Sequence, residues 1–219
     1  MNILSPSILS ADFSRLGDQI NQTELGGAKF LHIDVMDGLF VPSITFGMCV
    51  IKSIRKVTQM NFDVHLMIFE PIRYIKEFSD EGADIITIHY EACKNVEETL
   101  EFIHKCGCKA GISIKPSTRL DVLKPFIQLV DLILIMSVEP GFGGQEYINE
   151  STRRIVDAKK MITDSARQIY LEVDGGIHID NVKTVLEAGA DVIVAGSAIF
   201  NGDIVKNTTD FMNILNVSE

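Results

Sequence analysis

Short runs of apolar and β-branched residues alternate along the chain with stretches in which apolar residues recur at helical spacing. In the first such stretch, Phe13, Leu16 and Ile20 fall three and four residues apart, the periodicity of an amphipathic helix. Glycine follows several of these stretches, for example at Gly107, as is common just beyond a helix C-terminus. The apolar runs predict eight strands, over residues 3–9, 30–34, 62–67, 85–89, 110–114, 130–136, 169–174 and 192–195.

These strands are apolar on both faces, which is typical of a parallel sheet covered by helices. Eight strands alternating with helices in 219 residues favour a closed (β/α)8 TIM barrel, which commonly occupies this length as a single domain. We therefore expect residues 1–219 to form one α/β barrel domain. The competing fold is an open, doubly wound sheet. Its glycine-rich turn is absent after the first strand, where the chain reads Ser10-Ala11-Asp12-Phe13.

Two connections are longer than a βα unit needs, and both follow the carboxyl end of a strand. They cover residues 35–47 after the second strand and residues 137–145 after the sixth. In a barrel the carboxyl ends of all strands meet at one mouth, where active sites are built. We expect both long loops to lie over that mouth.

The composition narrows the classes of function. The chain has 20 Lys and Arg against 30 Asp and Glu, a formal net charge of −10, and no basic cluster longer than a pair. A surface for nucleic acid is therefore not expected. The longest apolar stretches are far shorter than the roughly 18 residues of a membrane span, and no signal-peptide pattern opens the chain. We expect a cytoplasmic protein without a membrane partner. Its four cysteines, which lack C-x-x-C spacing, should be reduced thiols.

Polar residues cluster near the ends of three predicted strands. His32 and Asp34 lie on the second strand, His65 on the third, and Asp174 ends the seventh. Residues two apart on a strand point to the same side, and in a barrel the side away from the helices is the interior. Two imidazoles and two carboxylates form a mixed ligand set for Zn²⁺, Fe²⁺, Mn²⁺ or Co²⁺. From the pattern alone, the same residues could instead be hydrogen-bonded core groups.

Glycines cluster after the last three strands. They occur in segments 140–144 and 174–176 and at Gly196-Ser197. Barrels often bind phosphate at the loops after strands 7 and 8, because unpaired N–H groups converge there. The alternative interpretation is that these glycines only permit tight turns. No Walker P-loop sequence is present, so nucleotide hydrolysis is not indicated.

Six of these segments, taken in order, resemble the motif set of the ribulose-phosphate 3-epimerase family. The segments are LSADF at 9–13, HIDVMDG at 32–38, DVHLM at 63–67, MSVEPGFGGQ at 136–145, EVDGGI at 172–177 and VAGSAIF at 194–200. The resemblance extends from the first strand to the last helix and implies a (β/α)8 barrel of the ribulose-phosphate binding type, in agreement with the independent strand count.

The resemblance also implies the roles of individual residues. It implies that His32, Asp34, His65 and Asp174 ligate one divalent metal cation per subunit, and that Asp34 and Asp174 are also the catalytic acid/base pair. It implies substrate contacts near the mouth, from Ser7, His65, Gly141, Phe142, Gly143, Gly144, Asp174, Gly175, Gly176, Gly196 and Ser197. We further expect a homo-oligomer, since self-association is common in such barrels.

The implied reaction interconverts D-ribulose 5-phosphate and D-xylulose 5-phosphate, a step of the pentose phosphate pathway, by proton transfer at C3 through an enediolate. One alternative is a D-allulose-6-phosphate 3-epimerase, because those enzymes share nearly all the motifs and this chain has Val41-Pro42-Ser43 where the family commonly has V-P-N. A second alternative is a non-catalytic phosphosugar-binding barrel, although the charged motif positions are intact. A decarboxylase of the D-x-K-x-x-D type is not indicated, because Met36 and Leu39 occupy its lysine and second aspartate positions.

Overall fold

The computed structural model describes residues 2–217, and these form a barrel of eight parallel strands. The order around the sheet follows the sequence, and β1 pairs with β8 from Ile3 opposite Val192 to Pro6 opposite Ala195. A parallel bridge between Ser7 and His32 brings the first strand against the second. The predicted TIM barrel is confirmed. The strands are β1 (Ile3–Pro6), β2 (Phe30–Met36), β3 (Asn61–Met67), β4 (Ile85–His89), β5 (Lys109–Ile114), β6 (Leu132–Met136), β7 (Tyr170–Asp174) and β8 (Val192–Ala195).

Helices pack on the outside of the sheet and cover its apolar outer face. Between β5 and β6 the connection is a 3-10 helix, Leu120–Phe126, which contains Pro125 and so lacks one backbone donor. No helix within residues 2–217 is both long enough and apolar enough to cross a bilayer. The α-helices are α1 (Leu16–Leu25), α2 (Met48–Ile54), α3 (Ile75–Asp80), α4 (Val96–Lys105), α5 (Ser151–Asp164), α6 (Val182–Glu187), α7 (Ser197–Phe200) and α8 (Ile204–Val217).

The strand bounds agree with those predicted to within two residues at each end, except at the end of β1. The prediction of a strand over residues 3–9 is wrong beyond Pro6. There the chain turns into a short 3-10 helix, Ile8–Ser10, and the Ser7 hydroxyl caps it by accepting a hydrogen bond from the Leu9 N–H at 3.4 Å. This early turn places Ser7 at the mouth of the barrel rather than within a longer strand.

Alternation along the strands separates an outer core from the barrel interior. In β6, Ile133 packs with the outer core beneath the helices, while Leu134 belongs to a separate cluster inside the barrel. The same alternation in β2 sends Ile33 outward and leaves His32 and Asp34 inside. The interior is apolar at the amino ends of the strands and becomes polar toward their carboxyl ends. Its apolar end is built from Phe30, Ile85, Leu132, Tyr170 and Val192.

Candidate active site

The four predicted ligand residues lie together near the carboxyl ends of β2, β3 and β7. The register of β2 against β3 pairs Asp34 with His65, so that adjacent strands present these side chains side by side. His32 and His65 are fully buried and Asp34 is nearly so, whereas the Asp174 side chain is 17% exposed at the mouth. The structure therefore brings the four residues into one interior cluster that opens toward solvent at Asp174.

The distances within this cluster place four ligand atoms around one point. Asp34 Oδ1 lies 3.3 Å from His32 Nε2 and 3.0 Å from His65 Nδ1. Asp174 Oδ2 lies 4.0 Å from each of the same two ring nitrogens. Each of the four residues offers one possible metal-ligand atom, and these four atoms all lie within 4.8 Å of one another. Two imidazole nitrogens and two carboxylate oxygens at this spacing fit a divalent cation.

His32 Nδ1, the ring nitrogen that faces away from the cluster, contacts a carboxylate. His32 Nδ1 lies 2.7 Å from Asp63 Oδ2, and the Ser5 hydroxyl donates to that same carboxylate oxygen at 3.2 Å. A carboxylate bound to the far nitrogen of a ligating histidine orients the ring and directs the opposite nitrogen at the metal. This arrangement is a second feature that fits a bound cation at Nε2 of His32.

His65 is supported by a chain of groups leading away from the cluster. Its Nε2 lies 2.9 Å from His89 Nε2, and His89 Nδ1 lies 3.4 Å from Glu91 Oε2. Glu91 in turn accepts hydrogen bonds from the Lys115 N–H and the Thr118 hydroxyl. Burial, together with the charge of His65, lowers the pKa of His89 to about 4, so His89 is neutral and one of its nitrogens is an acceptor for His65.

Glu172 is one of the site residues that the sequence analysis did not identify. It lies two positions before Asp174 on β7, is fully buried, and its Oε1 is 3.6 Å from His32 Nδ1. Burial and the neighbouring Asp63 carboxylate raise the pKa of Glu172 well above its usual range. A neutral Glu172 can therefore lie against an ionised Asp63 without placing two like charges in the interior. Its position two residues before Asp174, on the same side of the strand, is the signal that could have revealed it.

The protons of the cluster are unevenly distributed before a cation binds. Burial lowers the pKa of His32, but the Asp34 and Asp63 carboxylates outweigh burial and hold that pKa well above its usual value. Burial raises the pKa of Asp34, but the His32 and His65 rings outweigh it and hold that pKa below its usual range. Burial and the Asp34 charge act together on Asp174 and raise its pKa to about 6. One aspartate is thus ionised, while the other holds a proton at mildly acidic pH.

All the predicted substrate residues except His65 line a cavity above this cluster, whereas His65 is fully buried and does not line it. The glycine segments after β6, β7 and β8 line it together with Ser7. Met36, Met67 and Met136, all buried, also line it and present apolar surface beside the two aspartates. Gln145 ties the first glycine segment into a turn, because its side-chain amide donates to the carbonyls of Glu139 and Phe142 at 2.7 and 2.8 Å. The Gln145 side chain therefore stabilises the glycine segment after β6, which is a candidate for phosphate binding.

Of two glycines in this cavity, Gly196 is needed for space, whereas a Cβ on Gly143 would make only ordinary contacts. Neither Gly143 nor Gly196 has a positive φ, and Gly196 is at −101°. A Cβ on Gly196 would lie 2.6 Å from the Ser10 hydroxyl, and a Cβ on Gly143 would lie 3.7 Å from that hydroxyl. Ser10 thus lies between the loops after β6 and β8, a position that the sequence analysis did not assign to the site.

Comparison with known proteins gives a consistent result along the whole chain. The family model described as ribulose-phosphate 3 epimerase family matches residues 3–200. A ribulose-phosphate 3-epimerase of Synechocystis is 49% identical over 201 residues, covering 91% of this chain and 87% of that protein. The enzyme of the same name from Escherichia coli K12 is 43% identical over 211 residues, covering 96% of this chain and 94% of that protein.

Solved structures with similar folds have much lower sequence identity. A 3-keto-L-gulonate-6-phosphate decarboxylase from Vibrio cholerae superposes with a TM-score of 0.73 at 12% identity, covering 100% of this chain and 98% of that chain. A 3-hexulose-6-phosphate synthase superposes with a TM-score of 0.72 at 15% identity, covering 98% of this chain and 100% of that chain. At these identities the likeness establishes the barrel fold alone.

We predict that divalent metal binding at this cluster is coupled to proton release. His32, whose pKa is raised, must lose its Nε2 proton to ligate a cation, so affinity should increase as the pH rises from 5.5 to 8. The expected gain is about 10-fold per pH unit for each proton released. Calorimetric titration with Mn²⁺ in buffers of different ionisation enthalpy measures the affinity and counts the protons.

His104→Ala is the matched control for this titration, because His104 pairs with Asp131 on the outside of the barrel. It should leave both affinity and proton release unchanged. A Mn²⁺ affinity that stays constant over this pH range would contradict the assignment of His32 as a ligand.

Proposed function

The chain belongs to the ribulose-phosphate 3-epimerase family, and on that premise we propose that it interconverts D-ribulose 5-phosphate and D-xylulose 5-phosphate. The catalytic acid/base pair in this proposal is Asp34 and Asp174, and the ligands of its divalent metal are His32, Asp34, His65 and Asp174. The donor set suits Zn²⁺, Fe²⁺, Mn²⁺ or Co²⁺, among which availability decides.

The observation that carries the proposal is that two aspartates at one site have pKa values shifted in opposite directions. The pKa of Asp34 is lowered, and the pKa of Asp174 is raised. Inversion of a carbon next to a ketone removes a proton from one face and delivers a proton to the other. Asp34 is on β2 and Asp174 is on β7, and two other strands, β1 and β8, lie between them around the barrel. Carboxylates that approach from separate strands can address opposite faces of one carbon.

The residues divide the chemistry as follows. In one direction Asp34, which is ionised, accepts the C3 proton, and the Asp174 carboxyl group donates a proton to the opposite face of the resulting enediolate. The two exchange roles in the reverse direction. The Ser7 hydroxyl donates to Asp34 Oδ2 at 2.6 Å and holds the carboxylate in place. A bound divalent cation supplies Lewis-acid stabilisation of the negative charge on the oxygens next to C3.

The cavity also favours the reaction by excluding water and binding the phosphate. Met36, Met67 and Met136 present apolar surface over the aspartates, where water would otherwise protonate the enediolate without stereochemical control. The formal net charge of −10 repels a dianionic sugar phosphate at long range. We therefore assign phosphate binding to nearby backbone N–H groups of the glycine segments, which act at short range.

We predict that Asp34→Asn and Asp174→Asn each lower kcat by at least about 100-fold, the lower end for loss of a general acid or base. Each change also alters the charge of the metal ligands, so both variants are assayed at saturating metal. The measurements are kcat for epimerisation and exchange of the C3 hydrogen with deuterated water. One variant should still exchange this hydrogen without inverting C3. Epimerisation at the wild-type rate by either variant would remove that residue from the mechanism.

We predict that catalytic efficiency separates the possible substrates. The metal-loaded protein should convert D-ribulose 5-phosphate with a higher kcat/KM than D-allulose 6-phosphate, and chelation followed by a divalent metal should abolish and then restore the activity. A higher kcat/KM for allulose 6-phosphate would identify an allulose-6-phosphate 3-epimerase. Turnover of neither sugar would indicate a phosphosugar-binding barrel. Full activity in protein shown by elemental analysis to be metal-free would contradict the metal assignment.

We predict that Gly196→Ala raises KM for D-ribulose 5-phosphate on the order of 10-fold, because binding energy at the phosphate also positions the reacting carbon. The new Cβ displaces the Ser10 side chain between the two loops. Mn²⁺ affinity should not change. Gly17→Ala is the control, since its Cβ meets only Val57 at an ordinary 3.7 Å. Equal kcat/KM for ribulose and ribulose 5-phosphate in the wild type would show that these glycines serve only as turns.

A further inference from the structure

The backbone carbonyls of Asp34 and Asp174 each lie within hydrogen-bond distance of a side-chain hydroxyl from a long loop. The Thr45 hydroxyl donates to Asp34 O at 2.8 Å, and the Ser137 hydroxyl lies 2.9 Å from Asp174 O. Among the strands within residues 2–217, no other carbonyl oxygen lies within hydrogen-bond distance of a side-chain donor. The two exceptions are the two aspartates assigned to opposite faces of the reacting carbon.

Thr45 reaches Asp34 because the long loop after β2 folds back on its own strand. Asp37 and Ile44 form an antiparallel bridge, which turns the loop into a hairpin. The Thr45 hydroxyl then donates to Asp34 O and accepts from the Met36 N–H at 3.0 Å. One hydroxyl therefore joins two backbone groups on either side of Val35 and fixes the strand end that carries the Asp34 carboxylate.

Ser137 performs a similar role for Asp174 from the start of the long loop after β6. It is fully buried, its N–H donates to Asp174 O at 2.8 Å, and its hydroxyl oxygen also lies 2.6 Å from Gly175 O. The backbone turns sharply at Gly175, where φ is +117°. Ser137 thus contacts two consecutive carbonyls at the turn that sets the direction of the Asp174 side chain.

The Asp174 carboxylate has fewer hydrogen bonds from the described residues than the Asp34 carboxylate. The Asp34 carboxylate lies within hydrogen-bond distance of Ser7 and His65. Within the described residues the Asp174 carboxylate makes no hydrogen bond, and His32 and His65 lie 4.0 Å away. Among the described residues, hydrogen bonds therefore hold Asp174 only through its backbone, which Ser137 contacts.

We propose that Thr45 and Ser137 are positioning residues, each of which orients one of the two acid/base aspartates toward its own face of C3. This inference rests on the proposed epimerase function. Each hydroxyl acts through one aspartate, so loss of either hydroxyl should slow one proton transfer and leave the other unaffected. Small misplacements of a reacting group cost about 10- to 100-fold in rate, and we expect a loss of kcat in that range with little change in KM.

The experiment compares Thr45→Val and Ser137→Ala in the metal-loaded protein, with both epimers of the substrate deuterated at C3. Each epimer loses its deuteron to a different aspartate. A slower transfer at one aspartate should raise the primary isotope effect on kcat/KM for the epimer that this aspartate deprotonates. It should lower the effect for the other epimer, whose deprotonation then limits the rate less. Thr45→Val and Ser137→Ala should shift the two isotope effects in opposite directions.

Two controls separate positioning from general damage. Thr45→Ser keeps the hydroxyl and should restore both the rate and the isotope effects. Ser151→Ala removes another fully buried serine hydroxyl, one without a hydrogen-bond partner, and should change neither. Thr45 is only half-buried, so its variants decide the matter even if the Ser137→Ala chain does not fold.

Two outcomes would overturn the inference while leaving the proposed function intact. One is a Thr45→Val protein that matches Thr45→Ser in rate and isotope effects. The other is a pair of isotope effects that rise or fall together in a variant, as expected from a general structural defect. A wild-type protein that epimerises neither sugar phosphate would instead overturn the proposed function and this inference with it.

Discussion

The site depends on one constraint, which is that a closed barrel leaves little water at the ends of its strands to solvate charge. Alternation along β2 and β3 sends His32, Asp34, Asp63 and His65 into an interior where each is at most 3% exposed. Buried charges persist only when they are paired, and removing one partner costs about 3–5 kcal/mol. Every ionisable group here accordingly has a partner of opposite charge or a shifted pKa. The candidate ligand residues form the cluster in which these charge pairs and pKa shifts occur together.

The two long loops connect this interior to the mouth. The loop after β2 returns to its own strand through Thr45, and the loop after β6 binds the end of β7 through Ser137. The loops also approach each other, since a Cβ on Gly141 would lie 3.0 Å from Pro42 Cδ. Residues that surround the substrate cavity therefore belong to the same segments that fix the two aspartates. The packing of the two loops and the alignment of the proposed acid/base aspartates therefore depend on the same contacts.

Features that depend on residues close in sequence, such as strand alternation, could be predicted from the sequence. Contacts that depend on how a loop folds could not. Strand alternation and strand ends located His32, Asp34, His65 and Asp174, because both depend on residues close in sequence. Thr45 was not assigned, because its contact with Asp34 requires the hairpin fold of a loop. Glu172 lies two residues before Asp174 and therefore on the same side of β7. Its relevance to the site depends on its position beside Asp63, which the sequence does not show. Pro6 and Ser7 ended β1 early, since a capped turn replaced the expected strand.

In the proposed metal site, a proton and a divalent cation would be alternative occupants of His32 Nε2. His32 Nδ1 lies 2.7 Å from Asp63 Oδ2 and Nε2 lies 3.3 Å from Asp34 Oδ1, so both nitrogens face a carboxylate and retention of both protons is favoured. A cation needs the lone pair of Nε2 and displaces only that proton, while Asp63 keeps the other and fixes the tautomer. In the proposed mechanism Asp34 is ionised and Asp174 carries a proton, so the four ligands with neutral histidines would carry one negative charge. A bound divalent cation would therefore leave a net positive charge facing the substrate, although the protein carries a formal net charge of −10.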